Sequence, residues 1–456
     1  MLAAPLVALA LLACSPQQPP TYDFEKTLQD TFAQTGEPGG AAFAIFRDGK
    51  VIAHRSFGKT RFDANTKFEI GSVSKQFTAT CILMLVERHK LKLQDRIGDI
   101  VPNLPQSWRA ATIEQILHHQ SGIPDYEKVA GFDFYDRPHT LAEILKIAQS
   151  KPPAFTPGNN FGYSNTGYYL LSVVVERKSR MPFGRFLKRY IFDPLHMNDT
   201  IADGASHLKK KAIGYHVDKD GLHSVPGIAW SSALGAGGIV STFADFAKWD
   251  AALYGKSLLS AKSREFLWTP SHLKSGDTVP YGAGFFIDDF RGFVRQFHSG
   301  ETNGFTCSYS RFPALHYSVF AFTNSYKASS PGALAMLAIP HFAPELSYLH
   351  LAIPSDTDPD RTNLHREVLR TVITGQGNLE TLAKGMKDFA TLEPYAPLRK
   401  ELAKRFGDGD HLSFLRQSVR GQSTEYLYRG DFKVVPTFWT LRLMNGKLSS
   451  LNWEDE

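Results

Sequence analysis

Residues 70–90 read IGSVSKQFTATCILMLVERHK, and the fold turns on how Ser72 and Lys75 are read. They stand one helical turn apart at the front of an apolar helix expected over 73–89, where a core helix has little use for either. Two readings are open from this stretch. In the first, Ser72 or Ser74 caps the helix and Lys75 reaches into solvent. In the second, Ser72 is a nucleophile and Lys75 its base, held on one face by a helix that buries Cys81, Leu83, Leu85 and Val86. A serine hydroxyl needs a base to become nucleophilic, and a lysine serves once it is neutral. Desolvation and the positive end of a helix both lower its pKa towards that state.

The S-x-x-K pattern begins at Ser56, Ser72, Ser206 and Ser271, so the pattern alone is weak. Context separates the four. Ser56 ends a predicted strand, and Ser206 and Ser271 lie in Lys-rich segments with no apolar helix behind them. Only Ser72 opens one.

Working outward, AAFAIFRDGKVIAHRSFG (41–58) predicts two strands about an Asp48-Gly49 turn. Helical signals dominate from there to about residue 250: a Thr112-x-x-Gln115 capping box before TIEQILHH, then LAEILKIAQ and TGYYLLSVVVERK. Strands return in YGAGFFIDD, FVRQFHSG, FTCSYSRF and HYSVFAFTNS. Strands, a helical insertion and strands again imply one antiparallel sheet assembled from both ends of a domain. Around IPSDTDPDRTN (353–363) Pro, Asp and Ser cluster, and the pattern restarts with two short helical stretches and hairpins, one turning at Asn445-Gly446. The expected organisation is a main domain over 22–345, a linker over 346–362 and a small α+β domain over 363–456.

Two further segments bear on Ser72. TPGNNFGYSNTGYYLL (156–171) presents Tyr163-Ser164-Asn165 in a Gly-rich loop just before a helix. FVRQFHSGETNGF (293–305) presents His298-Ser299-Gly300 at the end of an apolar strand. With these in place the chain resembles the serine β-lactamase and penicillin-binding-protein superfamily, in the branch of class C β-lactamases, D,D-carboxypeptidases and related esterases. The likeness runs from about residue 24 to 340, through GSVSKQFTA, TIEQILHHQSGIPDY, the Tyr-Ser-Asn segment, GAGGIVSTFADFAKW, YGAGFF and HSGETNGF in family order. Lys274-Ser275-Gly276 fits the family's K-T-G form better than His298-Ser299-Gly300, but precedes YGAGFF and so stands in the wrong place.

The resemblance implies an α+β fold, an antiparallel sheet flanked by helices with a helical subdomain. It implies Ser72 as the acylated nucleophile, Lys75 as base or proton relay, and Tyr163 as proton carrier to the leaving group. Asn165 would bond Lys75 and substrate, and His298, Ser299 and Gly300 would line the substrate strand. The backbone N–H groups of Ser72 and Glu301 would form the oxyanion hole. The implied activity is hydrolysis of a peptide, amide or ester through an acyl-enzyme; a true β-lactamase and a non-catalytic ligand-binding member are the alternatives. Histidine at 298 in place of lysine argues against a dedicated β-lactamase. With an ordinary pKa of about 6.5 it is expected to supply a carboxylate-recognising charge that titrates near neutrality. The C-terminal stretch faintly resembles nuclear-transport-factor-like domains, with no specific motif.

Composition excludes other classes. The +6 formal charge on 456 residues comes without a basic stripe interleaved with aromatics, which argues against a nucleic-acid partner. His118-His119 lacks companions at metal-ligand spacing and Gly235-Ala236-Gly237-Gly238 lacks a nucleotide-site pattern, so no metal or cofactor is expected. MLAAPLVALALLAC (1–14) is too short to span a bilayer and ends in small residues, as an export signal does. Leu11-Leu12-Ala13-Cys14 resembles a bacterial lipobox, although no Lys or Arg precedes the apolar run. It implies removal of 1–13, lipid on Cys14, a tether over 14–21 and an outer-membrane-anchored protein facing the periplasm. Cys81 and Cys307 sit in apolar segments and read as buried small hydrophobes rather than a disulfide.

Overall fold

The computed structural model describes residue 29 and residues 39–202, 210–218, 221–326, 331–407, 411–420, 423–431 and 436–455. The expected signal, Cys14, the tether and the Ser206 motif lie outside these. The chain divides into two compact units, one of residues up to 288 with 294–339, the other of 289–293 with 340–456.

In the first unit β1 (Gly40–Arg47) and β2 (Lys50–Gly58) form the expected hairpin. Asp48 and Gly49 take φ of 48° and 75°, the left-handed pair that a two-residue type I′ turn demands. Four strands from the far end of the unit complete the sheet: β3 (Phe286–Phe290), β4 (Phe293–Thr302), β5 (Phe305–Phe312) and β6 (Tyr317–Thr323). The order is β2-β1-β6-β5-β4-β3. β1 pairs antiparallel with β6 from Ala41↔Thr323 to Arg47↔Tyr317, so the two ends of the unit meet at the centre of the sheet. Seven of the eight β1 residues are buried, as a central strand covered on both faces requires.

Three helices matter most for the site. α1 (Lys75–Glu87) is buried continuously from Lys75 to Leu85, which makes it a central core helix rather than one lying on the surface. α2 is Asn165–Ser179, capped by Ser164, whose side chain accepts the Gly167 N–H. α3 is Phe243–Tyr254, capped by Thr242. Thr112 and Gln115 make both bonds of the expected capping box. The layers are held by aromatic contacts: Phe77 of α1 stacks on Trp249 of α3 at 4.0 Å, and Phe68 on Phe322 of β6 at 4.0 Å.

The second unit carries helices α4 (Pro359–Thr374), α5 (Lys384–Thr391) and α6 (Ala396–Phe406), so three helices stand among the described residues where two were expected. Asp358 caps α4, Pro359 opens it and Gly375 closes it at φ 71°, the arrangement each residue type favours. α4 therefore starts inside the stretch read as a linker. A four-stranded antiparallel sheet follows, β7 (Leu412–Arg420), β8 (Ser423–Gly430), β9 (Thr437–Met444) and β10 (Lys447–Asp455), in sequence order. Leu369, Val372, Leu402 and Phe406 of the helices pack with Tyr428, Trp439 and Leu448 of the strands.

Candidate active site

Ser72 lies on a 3-10 turn, Gly71–Ser74, and Lys75 opens α1 behind it. The helix is thus shorter than expected, and the serine sits on the turn that leads into it. Neither Ile70 nor Ser74, at the two cap positions, makes a side-chain cap bond. The Ser74 hydroxyl instead accepts the Ile239 N–H at 3.2 Å. Ser72 is half-buried while Lys75 is fully buried, so the capping serine with a solvated lysine is not what this stretch encodes.

Three oxygens surround the Lys75 amine: Ser72 Oγ at 2.9 Å, Asn165 Oδ1 at 2.7 Å and the Ala236 carbonyl at 2.7 Å. Burial lowers the lysine pKa to about 7, against an upward pull from the carboxylates of Glu127 and Asp125. A neutral amine has two N–H donors and one lone pair. Asn165 Oδ1 and the Ala236 carbonyl can only accept, so they take the two donors, and the lone pair is left for the Ser72 hydroxyl. Tyr163 also hydrogen-bonds Ser72, and burial holds its pKa well above 10. The phenol therefore keeps its proton at neutral pH and Lys75 is the group poised to take one. The Lys75 amine stands 4.8 Å from the centre of the Tyr163 ring.

Asn165 is the first residue of α2, and its Nδ2 donates to Asp125 Oδ2 at 3.3 Å. Asp125 caps the helix Tyr126–Ala130 through its other oxygen. Burial and Glu127 push its pKa up to about 6.

The third motif lies on β4 beside the Ser72 turn. A Cβ on Gly300 would come within 2.1 Å of the Ile70 carbonyl, and one on Gly71 within 2.7 Å of the Glu301 nitrogen. Two glycines let strand and turn cross backbone to backbone, bringing the Glu301 amide alongside Gly71, the residue before Ser72. Ser299 and Glu301 are exposed and His298 and Gly300 buried, the alternation of a strand. His298 corrects an expectation. Burial and the nearby Lys75 push its pKa down to about 3. Its Nδ1 lies 2.6 Å from the Ser299 carbonyl, which makes that nitrogen the donor, and its Nε2 faces the Tyr281 hydroxyl at 3.4 Å. It is a neutral ring near neutral pH, not a titrating charge for a substrate carboxylate.

The decoys fall elsewhere. The Ser56 hydroxyl accepts the Phe62 N–H and Ser271 the Gln120 side chain, while Lys274 lines a separate cavity of about 490 Å³ with Gln94, Gln115 and His118. Two participants were missed: the Ala236 carbonyl and Asp125. The Gly235–Gly238 run packs closely, and a Cβ on Gly235 would meet Thr78 Oγ1 at 2.7 Å. A main-chain acceptor, however, leaves no mark in sequence.

A family model described as β-lactamase matches residues 24–339. Among curated proteins the chain is 30% identical over 289 residues to penicillin-binding protein 4* of Bacillus subtilis, covering 58% of this chain and 63% of that one. The chain thus spans just under two thirds of that relative. Among solved structures it is similar to a D-amino acid amidase from Ochrobactrum anthropi, with 25% identity, a TM-score of 0.60 and coverage of 70% and 99%. It also resembles an octameric penicillin-binding protein homologue from Pyrococcus abyssi, at 22% identity and a TM-score of 0.62, over 95% of this chain and 98% of that one.

Proposed function

Because the chain belongs to the β-lactamase family, we propose that it is a serine hydrolase that cleaves an amide or ester through an acyl-enzyme on Ser72. The observation that carries this reading is the buried Lys75 amine, 2.9 Å from Ser72 Oγ with two pure acceptors on its other side. Lys75 takes the Ser72 proton as the oxygen attacks the substrate carbonyl, and the N–H groups of Ser72 and Glu301 receive the oxyanion. The proton passes by way of Tyr163 to the departing amine or alcohol. Water then cleaves the ester, with Lys75 and Tyr163 moving the proton in reverse.

The preferred substrates in this reading are neutral or amine-bearing, such as D-amino-acid amides, over carboxylate-bearing β-lactams and D-Ala-D-Ala peptides. A neutral His298 and the acidic Asp125 and Glu127 near Lys75 support this, as does similarity to a D-amino acid amidase. Export and a lipid anchor on Cys14 belong to the same proposal and rest on residues 1–14 alone.

Mass spectrometry after fluorophosphonate treatment tests the nucleophile: wild type gains one adduct on Ser72, and Ser72→Ala, folded, gains none. An adduct that persists in Ser72→Ala sinks the assignment. A panel of nitrocefin, a D-Ala-D-Ala peptide, a D-amino-acid amide and a p-nitrophenyl ester ranks the substrates. Fractionation of wild type against Cys14→Ser tests the anchor, with only the variant expected to leave the membrane.

A further inference from the structure

His119 holds the segment around Tyr163 by three separate contacts. Its carbonyl accepts the Gly162 N–H at 2.8 Å, and its ring Nδ1 accepts the Ser164 N–H at 3.1 Å. Its ring lies 4.3 Å from the Tyr163 ring, tilted by 33°. The two hydrogen bonds fall on the residues either side of the tyrosine, and the ring contact falls on the tyrosine itself. His119 is buried and sits at φ 56°. This left-handed conformation is uncommon outside glycine and is found where surrounding structure enforces it.

The tautomer follows from these bonds. Nδ1 accepts a main-chain N–H, so the neutral ring carries its proton on Nε2. That Nε2 has no hydrogen-bond partner among the described residues. Around the ring stand Tyr163, Tyr281 and Tyr168 at 4.3, 4.8 and 4.9 Å, and Phe161 at 5.9 Å. Burial, with Lys75 and His298 nearby, holds the ring pKa well below 6.5, so Nδ1 stays free to accept. The side chain leaves one donor unpaired and keeps the bond that fixes Ser164, the residue joining Tyr163 to Asn165.

We infer that His119 is a positioning residue for Tyr163: its main-chain carbonyl holds the residue before the tyrosine, and its neutral imidazole holds the residue after it and backs the phenol, so that the hydroxyl meets Ser72. The inference rests on the reading of Tyr163 as the proton carrier.

Two substitutions separate a clamp from a space-filler. His119→Asn keeps an acceptor close to the Nδ1 position and loses the ring, whereas His119→Phe keeps a ring and leaves the Ser164 N–H unpaired. For the substrate turned over best in the panel, the clamp predicts that His119→Phe lowers kcat by about tenfold or more with KM within about twofold, and that His119→Asn, which keeps the acceptor for the Ser164 N–H, retains at least about threefold more kcat than His119→Phe. A residue that only fills volume gives the opposite ranking, and that result overturns the inference. Should His119→Phe not fold, nitrogen-15 spectra of the wild-type histidines decide: an unprotonated Nδ1 and protonated Nε2 at His119 from pH 5.5 to 8 support the clamp, and an Nδ1–H tautomer refutes it. Tyr163→Phe separates the two claims. Wild-type kcat in Tyr163→Phe removes the reading of the tyrosine, whereas an impaired Tyr163→Phe beside an unimpaired His119→Phe removes only the clamp.

Discussion

Asp125 Oδ2 accepts from Asn165 Nδ2 at 3.3 Å, and this contact decides which end of the amide faces Lys75. With nitrogen towards the carboxylate, oxygen is left for the lysine at 2.7 Å. Asp125→Ala is expected to lower kcat/KM by about tenfold or more, because a mis-set supporting group displaces the base it holds. Removing the carboxylate also removes an upward pull on the Lys75 pKa. The acid limb of the kcat/KM profile should therefore move to lower pH even as its height falls. An unmoved limb would mean that Asp125 does not act on Lys75.

The Lys75 pKa of about 7 sets the direction of the whole profile. The amine must be neutral to accept the Ser72 proton, so kcat/KM should rise as pH increases through about 7. The folded pKa is lower than the ordinary lysine value of 10.5. The unfolded chain thus binds more protons between the two values, and Lys75 makes stability rise with pH from about 7 to 10.5. A kcat/KM–pH series on wild type checks the first statement. Denaturant titrations of wild type and Lys75→Met at pH 7 and 9 check the second, with the variant expected to lose part of the pH dependence.

His298 should leave no titration in substrate preference. With its pKa near 3, the ratio of kcat/KM for a carboxylate-bearing and a neutral substrate should hold within about twofold from pH 5.5 to 8. A ratio that climbs on acidification would show a ring that gains charge in the site. His298→Lys would place a second ammonium near Lys75, lowering stability and pushing the Lys75 pKa further down.

Gly300→Ala tests the crossing of strand and turn. Its Cβ would meet the main-chain Ile70 carbonyl at 2.1 Å, an atom that cannot rotate away, so β4 or the Ser72 turn must shift. A displacement of this order costs about 100-fold in rate in other enzymes, and a loss of that size in kcat is expected here, with a lower Tm. Ser299→Ala, at an exposed neighbour, serves as the control for stability.

What the sequence revealed divides along physical lines. The hairpin at Asp48-Gly49 and the capping box at Thr112 were legible because each is a local device whose residue types state their own geometry. Ser72, Lys75, Tyr163 and Asn165 were legible together, through spacing and order along the chain, and the structure brings all four within contact. The state of His298 was not legible. Its pKa depends on being sealed among Tyr281, Phe286 and Tyr163, contacts made between distant parts of the chain. The Ala236 carbonyl was hidden for a different reason, since every residue carries one and only the fold says which of them meets a lysine.

The pairing of β1 with β6 places a constraint on the order in which the molecule can be made. Residues 41–47 wait for 317–323 before the middle of the sheet exists, and β4, which buttresses the Ser72 turn, joins that sheet only through β5 and β6. Contacts between such distant residues form late and slowly. A growing chain that has not yet released residue 323 from the ribosome carries Ser72 and Lys75 but lacks the finished sheet behind them. Ser72 is therefore among the first of the site residues to be synthesised, and the sheet that backs its turn is completed only after residue 323 has emerged.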